Sequence, residues 1–245
     1  MHLVLCMAGI YRRFREAGYK TPKYLLPWRG RTILSHILAT MTEDGAFSSV
    51  LLLANERDLS YRPDIEAVLA ENGLAADCLH FVGDTRGQAE TAALAVDCLE
   101  TRGRLDTEDR VVFHNIDTIL YGRDYRKVAD ILCECDGYID VFESDGPQYS
   151  YVRIDQNGAV TEMAEKIVIS NRATSGLYGF CSAIRFRDLA KSMTASGEFY
   201  ISDVYRRMLS DGAHIRVNAP EPARDTLILG TPAEYEAALA EAEAG

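Results

Sequence analysis

The sequence has no apolar run approaching the roughly 20 residues that a membrane-spanning helix requires, so no membrane partner is expected. Positive charge is also short: 26 Lys and Arg face 37 Asp and Glu, a formal net charge of −11. That balance argues against a nucleic-acid partner, because such binding draws on clustered cations that displace counterions. It leaves room for one small anionic ligand, for which a few local cations and backbone N–H groups suffice. The six cysteines (Cys6, Cys78, Cys98, Cys133, Cys135 and Cys181) form no C-x-x-C pair, and no histidine grouping has zinc-ligand spacing. They read as reduced, mostly buried thiols of a cytoplasmic protein. The apolar opening up to Ile10 has no basic segment before it and runs into Arg12 and Arg13, which predicts a buried first strand and not a secretory signal. No internal repeat, low-complexity linker or break in composition occurs. At roughly 150 residues per domain, the 245 residues allow one large domain or two small ones, and the unbroken composition favours one over 1–245.

What is present is ordinary in amount: 47% hydrophobic and 26% charged residues, close to globular averages, which argues against disorder or a fibre. Strand candidates are Leu3–Met7, Val50–Ala54, Leu79–Val82, Val111–His114 and Gly137–Phe142. Between them lie amphipathic stretches at Thr32–Met41, Pro63–Glu71, Gln88–Glu100 and Tyr125–Cys133. Such alternation implies right-handed βαβ units, hence an α/β fold with a mixed, mostly parallel sheet flanked by helices. The second half predicts a hairpin of Ser150–Asp155 and Ala159–Ala164 around Gln156-Asn157-Gly158. A strand at Leu177–Ser182, helices at Phe186–Met193 and Ile201–Leu209, a strand at His214–Asn218 and an Ala/Glu helix at Pro232–Ala244 complete the pattern. The acids of that last helix read as a solvated face. Ligands in such sheets gather beyond the carboxyl ends of the strands, which points to the loops after Met7, Val82 and His114.

The first of these loops runs Met7-Ala8-Gly9-Ile10-Tyr11-Arg12-Arg13-Phe14, with Pro22-Lys23-Tyr24-Leu25 shortly after. Gly9, Arg12, Arg13 and Lys23 supply backbone donors, forked guanidinium donors and a compact mobile charge, a set suited to a triphosphate. Pro22 restrains the backbone just before Lys23. By composition alone the same loop equally suits an ordinary basic surface turn. Here the sequence resembles the nucleotidyltransferases that make activated sugars, the nucleoside-diphosphate-sugar pyrophosphorylases. Their pattern is Met-Ala-Gly-x-Gly-x-Arg-Phe/Leu, then Pro-Lys-Pro-Leu, then Gly-Lys-Pro-Met/Ile. Met7, Ala8, Gly9, Arg13, Phe14, Pro22, Lys23, Leu25 and Gly30 match it. The resemblance implies a Rossmann-like, GT-A-like fold, with Ala8, Gly9 and Arg12 lining the nucleotide. It further implies that Arg13 contacts the phosphates and Lys23 stabilises charge at the reacting α-phosphate. Tyr11 stands where the family has its second glycine, and Tyr24 where it has the proline after the lysine. A tyrosine at position 11 demands a reshaped loop if the phosphates are to approach the backbone.

Further matches follow in the family's order. In Asp84-Thr85-Arg86-Gly87-Gln88, Gly87 permits a close approach and Gln88 offers a donor and an acceptor to a base edge, while Asp84 or Thr85 can cap the helix. Asp117 ends the strand Val111–His114 with an acid that suits a hard cation bridging phosphate oxygens, and the family carries its metal-binding Asp in this setting. Unaided, Glu165-Lys166 reads as a solvated pair. By resemblance Glu165 holds acceptor hydroxyls, Lys166 holds the acceptor phosphate and Gly176 admits the ligand. Glu198-Phe199-Tyr200-Ile201-Ser202-Asp203 resembles a Glu-x-x-Ile-Thr-Asp segment, although Ser202 or Asp203 is equally a helix cap. Gly230-Thr231-Pro232 matches a Gly-Thr-Pro, but Ile228 stands where the family's second metal Asp would be. Asp225 is the nearest acid and replaces it only through an altered loop path.

The reading that results is a nucleotidyltransferase joining a nucleoside triphosphate to a phosphorylated acceptor, with Mg²⁺ as cofactor and pyrophosphate as leaving group. Residues 1–120 form its nucleotide-binding half and 121–245 its acceptor-binding half, in a cytoplasmic protein whose assembly into a homo-oligomer is left open. A sugar 1-phosphate is the favoured acceptor. The short form resembles members of capsule-polysaccharide pathways, some of which activate phosphocholine or other non-sugar phosphates with CTP. A glycosyltransferase usually wants Asp-x-Asp where this chain has Asn115-Ile116-Asp117. A non-catalytic nucleotide-binding homologue draws its support from Tyr11 and Ile228.

Overall fold

The computed structural model describes residues 1–194, 197–218 and 225–244. In chain order these form β1 (His2–Met7), α1 (Arg12–Glu16), β2 (Pro27–Trp28), β3 (Arg31–Thr32), α2 (Ile33–Thr42), β4 (Ser49–Asn55), α3 (Arg62–Glu71), β5 (Leu79–Val82), α4 (Gln88–Thr101), β6 (Val111–His114) and β7 (Thr118–Leu120). There follow α5 (Tyr125–Glu134), β8 (Gly137–Glu143), β9 (Ser150–Ile154), β10 (Val160–Glu165), β11 (Arg172–Phe180), α6 (Ala183–Ser192), α7 (Ile201–Ser210), β12 (Ile215–Val217), β13 (Thr226–Ile228) and α8 (Pro232–Ala244).

Every side chain of β1 is buried, so this strand needs cover on both faces. Period-two alternation sends Leu3, Leu5 and Met7 to one face with α2, α3 and α5. It sends Val4 and Cys6 to the other face with α4, α6 and α7. β1 lies between β4 and β6, parallel to both, and β5 extends β4 in parallel. Thr32, Asp124 and Ser182 cap α2, α5 and α6 through their side-chain oxygens, which satisfies N–H groups that the first helical turn leaves unpaired.

The nine-stranded sheet runs β10-β9-β11-β6-β1-β4-β5, with β8 pairing β11 and β12. β11 is antiparallel and occupies the place beside β6, so β8 does not continue the parallel series. β11 also begins at Arg172, five residues before the expected start at Leu177. Its first half is polar in sequence, yet Thr174 and Ser175 are buried, and its register against β8 shifts between Thr174 and Tyr178. The ribbon of β7 with β13 and the short helix α1 were also not expected. Asp203 lies in the first turn of α7 and accepts from the Tyr200 N–H at 2.9 Å, so Tyr200 is the cap residue and neither Ser202 nor Asp203 is. Gly87, not Asp84 or Thr85, takes the cap position of α4. All six cysteines are free thiols, but only Cys6 and Cys78 are buried. Cys133 lies off the face of α5 that buries Tyr125, Val128 and Leu132. No described helix is long and apolar enough to cross a membrane.

The β7–β13 ribbon is fastened to the sheet by one buried ion pair. Arg123 donates to both carboxylate oxygens of Asp140, at 3.1 and 3.0 Å, and to the Thr226 hydroxyl at 2.6 Å. Asp140 is fully buried in β8. Replacing Arg123 with Met removes the only counterion within reach among the described residues. The variant is expected to lose about 3–5 kcal/mol, because a buried carboxylate is left uncompensated. Urea unfolding of Arg123→Met against the parent chain checks this.

Candidate active site

The loops after β1 and β6 meet at the carboxyl ends of these two parallel strands. In the first loop Ala8 is buried, Gly9 is exposed, and beyond its two chain neighbours no described heavy atom lies within 4 Å of the place a Gly9 Cβ would take. Arg12 and Arg13 are exposed on α1. That helix is anchored by Phe14, whose ring packs edge-on to Tyr19 at 5.3 Å and near Tyr235 at 6.3 Å. Tyr11 takes a left-handed backbone (φ 37°, ψ 44°), the conformation a glycine would favour.

Lys23 and Asp117 form the centre. The Lys23 ammonium donates to Asp117 Oδ2, and both side chains are mostly buried. Burial acts to raise the Asp117 pKa, but the charge and hydrogen bond of Lys23, with His114 and Thr118, outweigh it and hold the carboxyl below its ordinary range. Its stabilising contribution is therefore complete above the ordinary carboxylate value, and is lost as pH falls through the lowered one. Beneath lies the fully buried His114, whose pKa is lowered by burial, with Nε2 at 2.8 Å from the Thr118 carbonyl. The Asp117 carbonyl accepts from Leu229 N–H at 2.7 Å, which brings the Gly230–Glu234 segment against it. A Cβ on Gly230 would stand 3.3 Å from Asp117 Oδ2 and 3.5 Å from Glu234 Oε2, so the two carboxylates face one gap.

Glu234, not Asp225, is the acid that the fold brings to Asp117. Ile228 pairs with Thr118, and Tyr121 N–H donates to the Asp225 carbonyl. Asp225 thus stands three ladder steps before Ile228, roughly 10 Å further along the ribbon at about 3.3 Å per residue. Glu234 has a sequence signal, the Thr-x-x-Glu capping pattern from Thr231. The Thr231 hydroxyl accepts from Glu234 N–H at 3.2 Å and donates to its Oε2 at 2.9 Å. Among the described residues, no group of three or more His, Cys, Asp or Glu is arranged to hold a metal.

Gln88 and Asn115 join across the cleft, the Gln88 amide donating to Asn115 Oδ1 at 2.6 Å. The two glycines expected to admit ligand face the chain itself. A Cβ on Gly87 would come within 2.5 Å of the Phe199 carbonyl oxygen, and one on Gly176 (φ +87°) would fall within the Asn115 carboxamide. Gly176 therefore makes room for Asn115, whose N–H also donates to the Gly176 carbonyl at 3.2 Å.

The segment around Tyr200 connects this region to Glu165 and Lys166. Glu165 accepts from the hydroxyls of Ser150 and Ser202, the latter at 2.8 Å. Lys166, left-handed at φ 55°, donates to the Tyr200 hydroxyl at 2.6 Å and sits 4.4 Å from its ring centroid. Tyr200 in turn donates to Glu198. Burial acts to lower the Lys166 pKa, but the Tyr200 hydrogen bond with the charges of Glu165 and Glu198 prevails and raises it. Lys166 N–H donates to the Tyr149 carbonyl at 3.0 Å, and the Tyr149 hydroxyl donates to Glu234 Oε1 at 2.9 Å. Tyr149, Tyr200 and Glu234 were not foreseen as site residues, since each depends on contacts between distant segments.

Known proteins share this arrangement of sheet and helices. No protein-family model matches the sequence, and no curated protein does. Among solved structures, a nucleoside-diphosphate-sugar pyrophosphorylase from Vibrio cholerae RC9 is 27% identical, with a TM-score of 0.83 over 97% of this chain and 99% of that one. A Bacillus anthracis protein assigned as a glucose-1-phosphate thymidylyltransferase is 20% identical, with a TM-score of 0.77 over 98% and 94%. The inositol-1-phosphate CTP transferase of T. maritima is 16% identical, with a TM-score of 0.70 over 100% and 96%. These last two share the fold. The class is thus the nucleotidyltransferase type of α/β protein, a mixed and largely parallel sheet flanked by helices. Within it, the chain is a structural match to the nucleoside-diphosphate-sugar pyrophosphorylase and sugar nucleotidyltransferase family over nearly its whole length.

Replacing Gly176 with Ala should cost about 2 kcal/mol or more, because it puts a Cβ into the Asn115 side chain at a positive φ. Chemical denaturation measures the loss, and an unchanged midpoint would contradict the packing described.

Proposed function

We propose that the protein is a nucleotidyltransferase that joins a nucleoside triphosphate to a phosphorylated small-molecule acceptor, a sugar 1-phosphate before others, and releases pyrophosphate. The observation that carries this reading is the Lys23–Asp117 pair at the carboxyl ends of the parallel strands, beside the open Gly9 loop with its exposed Arg12 and Arg13. Residues 1–120 receive the triphosphate and 121–245 the acceptor, as halves of one unit in a cytoplasmic protein.

An acceptor phosphate oxygen attacks the α-phosphorus in line. One P–O bond forms, the bond to the β-phosphate breaks, and pyrophosphate leaves with the electron pair. The nucleophile is already anionic, so no general base is needed. Catalysis lies in holding several anions together in a fixed geometry. Arg12, Arg13 and Lys23 supply the positive charge around the triphosphate. Gln88, directed by its bond to Asn115, faces the base. Lys166, steered by Tyr200, meets the acceptor phosphate, and Glu165 takes its hydroxyls.

Magnesium suits the residues present. Asp117 is ionised and partly exposed, and such an ion takes one or two carboxylates, with phosphate oxygens and water completing its shell. Asp117 would hold it. When bound, the ion supplies charge neutralisation between phosphate oxygens. Transfer of a glycosyl group has less support, because position 115 is an asparagine whose carboxamide is engaged by Gln88.

The test is a matrix of ATP, GTP, CTP and UTP against sugar 1-phosphates, phosphocholine and other phosphorylated metabolites, read by pyrophosphate release with Mg²⁺. Release from no combination would sink the reading, and the productive acceptor distinguishes a sugar from a non-sugar substrate. Lys23→Ala is expected to lower turnover by about 100-fold or more while its circular dichroism and thermal unfolding remain those of a folded chain.

A further inference from the structure

Tyr11 and Tyr24, the two residues that set this loop apart, converge on one acid. Asp58 lies in a short 3₁₀ turn, Glu56–Tyr61, that follows the carboxyl end of β4. It is 1% exposed. The Tyr11 hydroxyl donates to its Oδ1 at 2.5 Å and the fully buried Tyr24 hydroxyl to its Oδ2 at 3.0 Å. Among the described residues, no Lys, Arg or His lies within ion-pair distance of Asp58. Arg15 instead donates to the Tyr11 hydroxyl at 3.3 Å and stacks over its ring at 4.8 Å. The same turn holds the loop once more through Tyr61, whose hydroxyl donates to the Lys20 carbonyl at 3.1 Å.

We propose that Asp58 is a positioning residue for the triphosphate-binding loop. Its two carboxylate oxygens tie Tyr11, which immediately precedes the Arg12-Arg13 pair, to Tyr24, one residue after Lys23, and so set the spacing between these cations. The role in substrate binding rests on the nucleotide-binding reading of the loop; the mechanical coupling does not.

Two physical facts give the tie its stiffness. A buried carboxyl with no ion-pair partner in reach depends on its hydrogen-bond donors, so neither phenol can move away without leaving a buried oxygen unsatisfied. A bulky residue at φ 37° persists only where its surroundings over-determine it, and at Tyr11 the Asp58 bond is that determinant. Both phenols remain protonated donors: burial, with Asp58 adding to it, raises Tyr11 to about 12 and Tyr24 further. The tyrosines thus act as a matched pair, and replacing either one alone disturbs the segment that carries the other.

Amide hydrogen exchange tests the coupling without any substrate. Reporters on the first segment are the amides of Phe14 and Arg15, which donate to the Tyr11 carbonyl. Those on the second are Leu25 and Leu26, which donate to the Pro22 and Lys23 carbonyls. Tyr24→Phe is expected to speed exchange at Phe14 and Arg15 by about fivefold or more, Tyr11→Phe to do the same at Leu25 and Leu26, and Asp58→Asn to do both. Effects confined to the substituted residue's own segment would overturn the tie. The two Tyr→Phe variants answer the question even if Asp58→Asn does not fold.

Calorimetric titration with Mg²⁺ and ATP, GTP, CTP or UTP then tests the positioning role. Asp58→Asn should weaken binding of the preferred triphosphate about tenfold and raise its KM, with the acceptor KM left near the parent value. Retained triphosphate affinity in Asp58→Asn would sink the positioning role alone. A parent chain that bound none of the four would sink the reading of the site and the positioning role with it, while the exchange result would still stand.

Discussion

The Lys23–Asp117 pair is the contact on which the arrangement turns. It joins the loop after β1 to the loop after β6, two segments nearly a hundred residues apart. A pair of this kind is also poised for change. Lys23 neutralises a carboxylate in the free protein, and a polyphosphate offers that ammonium a richer set of acceptors. Asp117 would then be released to face a cation, with Glu234 across the gap that Gly230 keeps open. The charge at this point is therefore balanced within the chain itself. This lowers the cost of holding a mostly buried lysine and aspartate at one point.

Around that centre the protein is knitted together by its own atoms where ligand space was expected. Phe199 fills the space at Gly87, and Asn115 fills that at Gly176. Both glycines remain indispensable, but for packing within the chain. The result is a chain of contacts from Gln88 through Asn115 to Gly176, and from Gly87 through Phe199 to Tyr200 and Lys166. Two regions of the cleft, around Gln88 and around Lys166, are thereby linked through direct contacts.

Much of the fold was legible because its central strands are buried on both faces. Leu79–Val82 and Val111–His114 have the boundaries that their apolar runs indicate, and α2, α3, α4 and α5 begin within a residue of the expected starts. What was not legible is pairing that depends on polar or very short segments. Thr174 and Ser175 are polar residues buried in the first half of β11, and β7 with β13 are three residues each. The site divides along the same line. Asp117 is visible as an acid at a strand's end, whereas Asp225 was nearest in sequence to the vacant position and is removed from it by ladder register.

The sequence by itself determined the alternation of buried strands and amphipathic helices, the shortage of cations that makes a local basic loop informative, and the residue types available for phosphate chemistry. These properties are local, because periodicity, capping and charge are read over a few neighbouring residues. Only the tertiary structure decided which of those residues meet. It placed β11 beside β6, set Glu234 opposite Asp117, and drew Tyr11 and Tyr24 onto the two oxygens of Asp58. The reason is physical: a buried carboxylate takes its donors from whatever segments the sheet brings within hydrogen-bond reach, and strand register, not sequence distance, decides which those are.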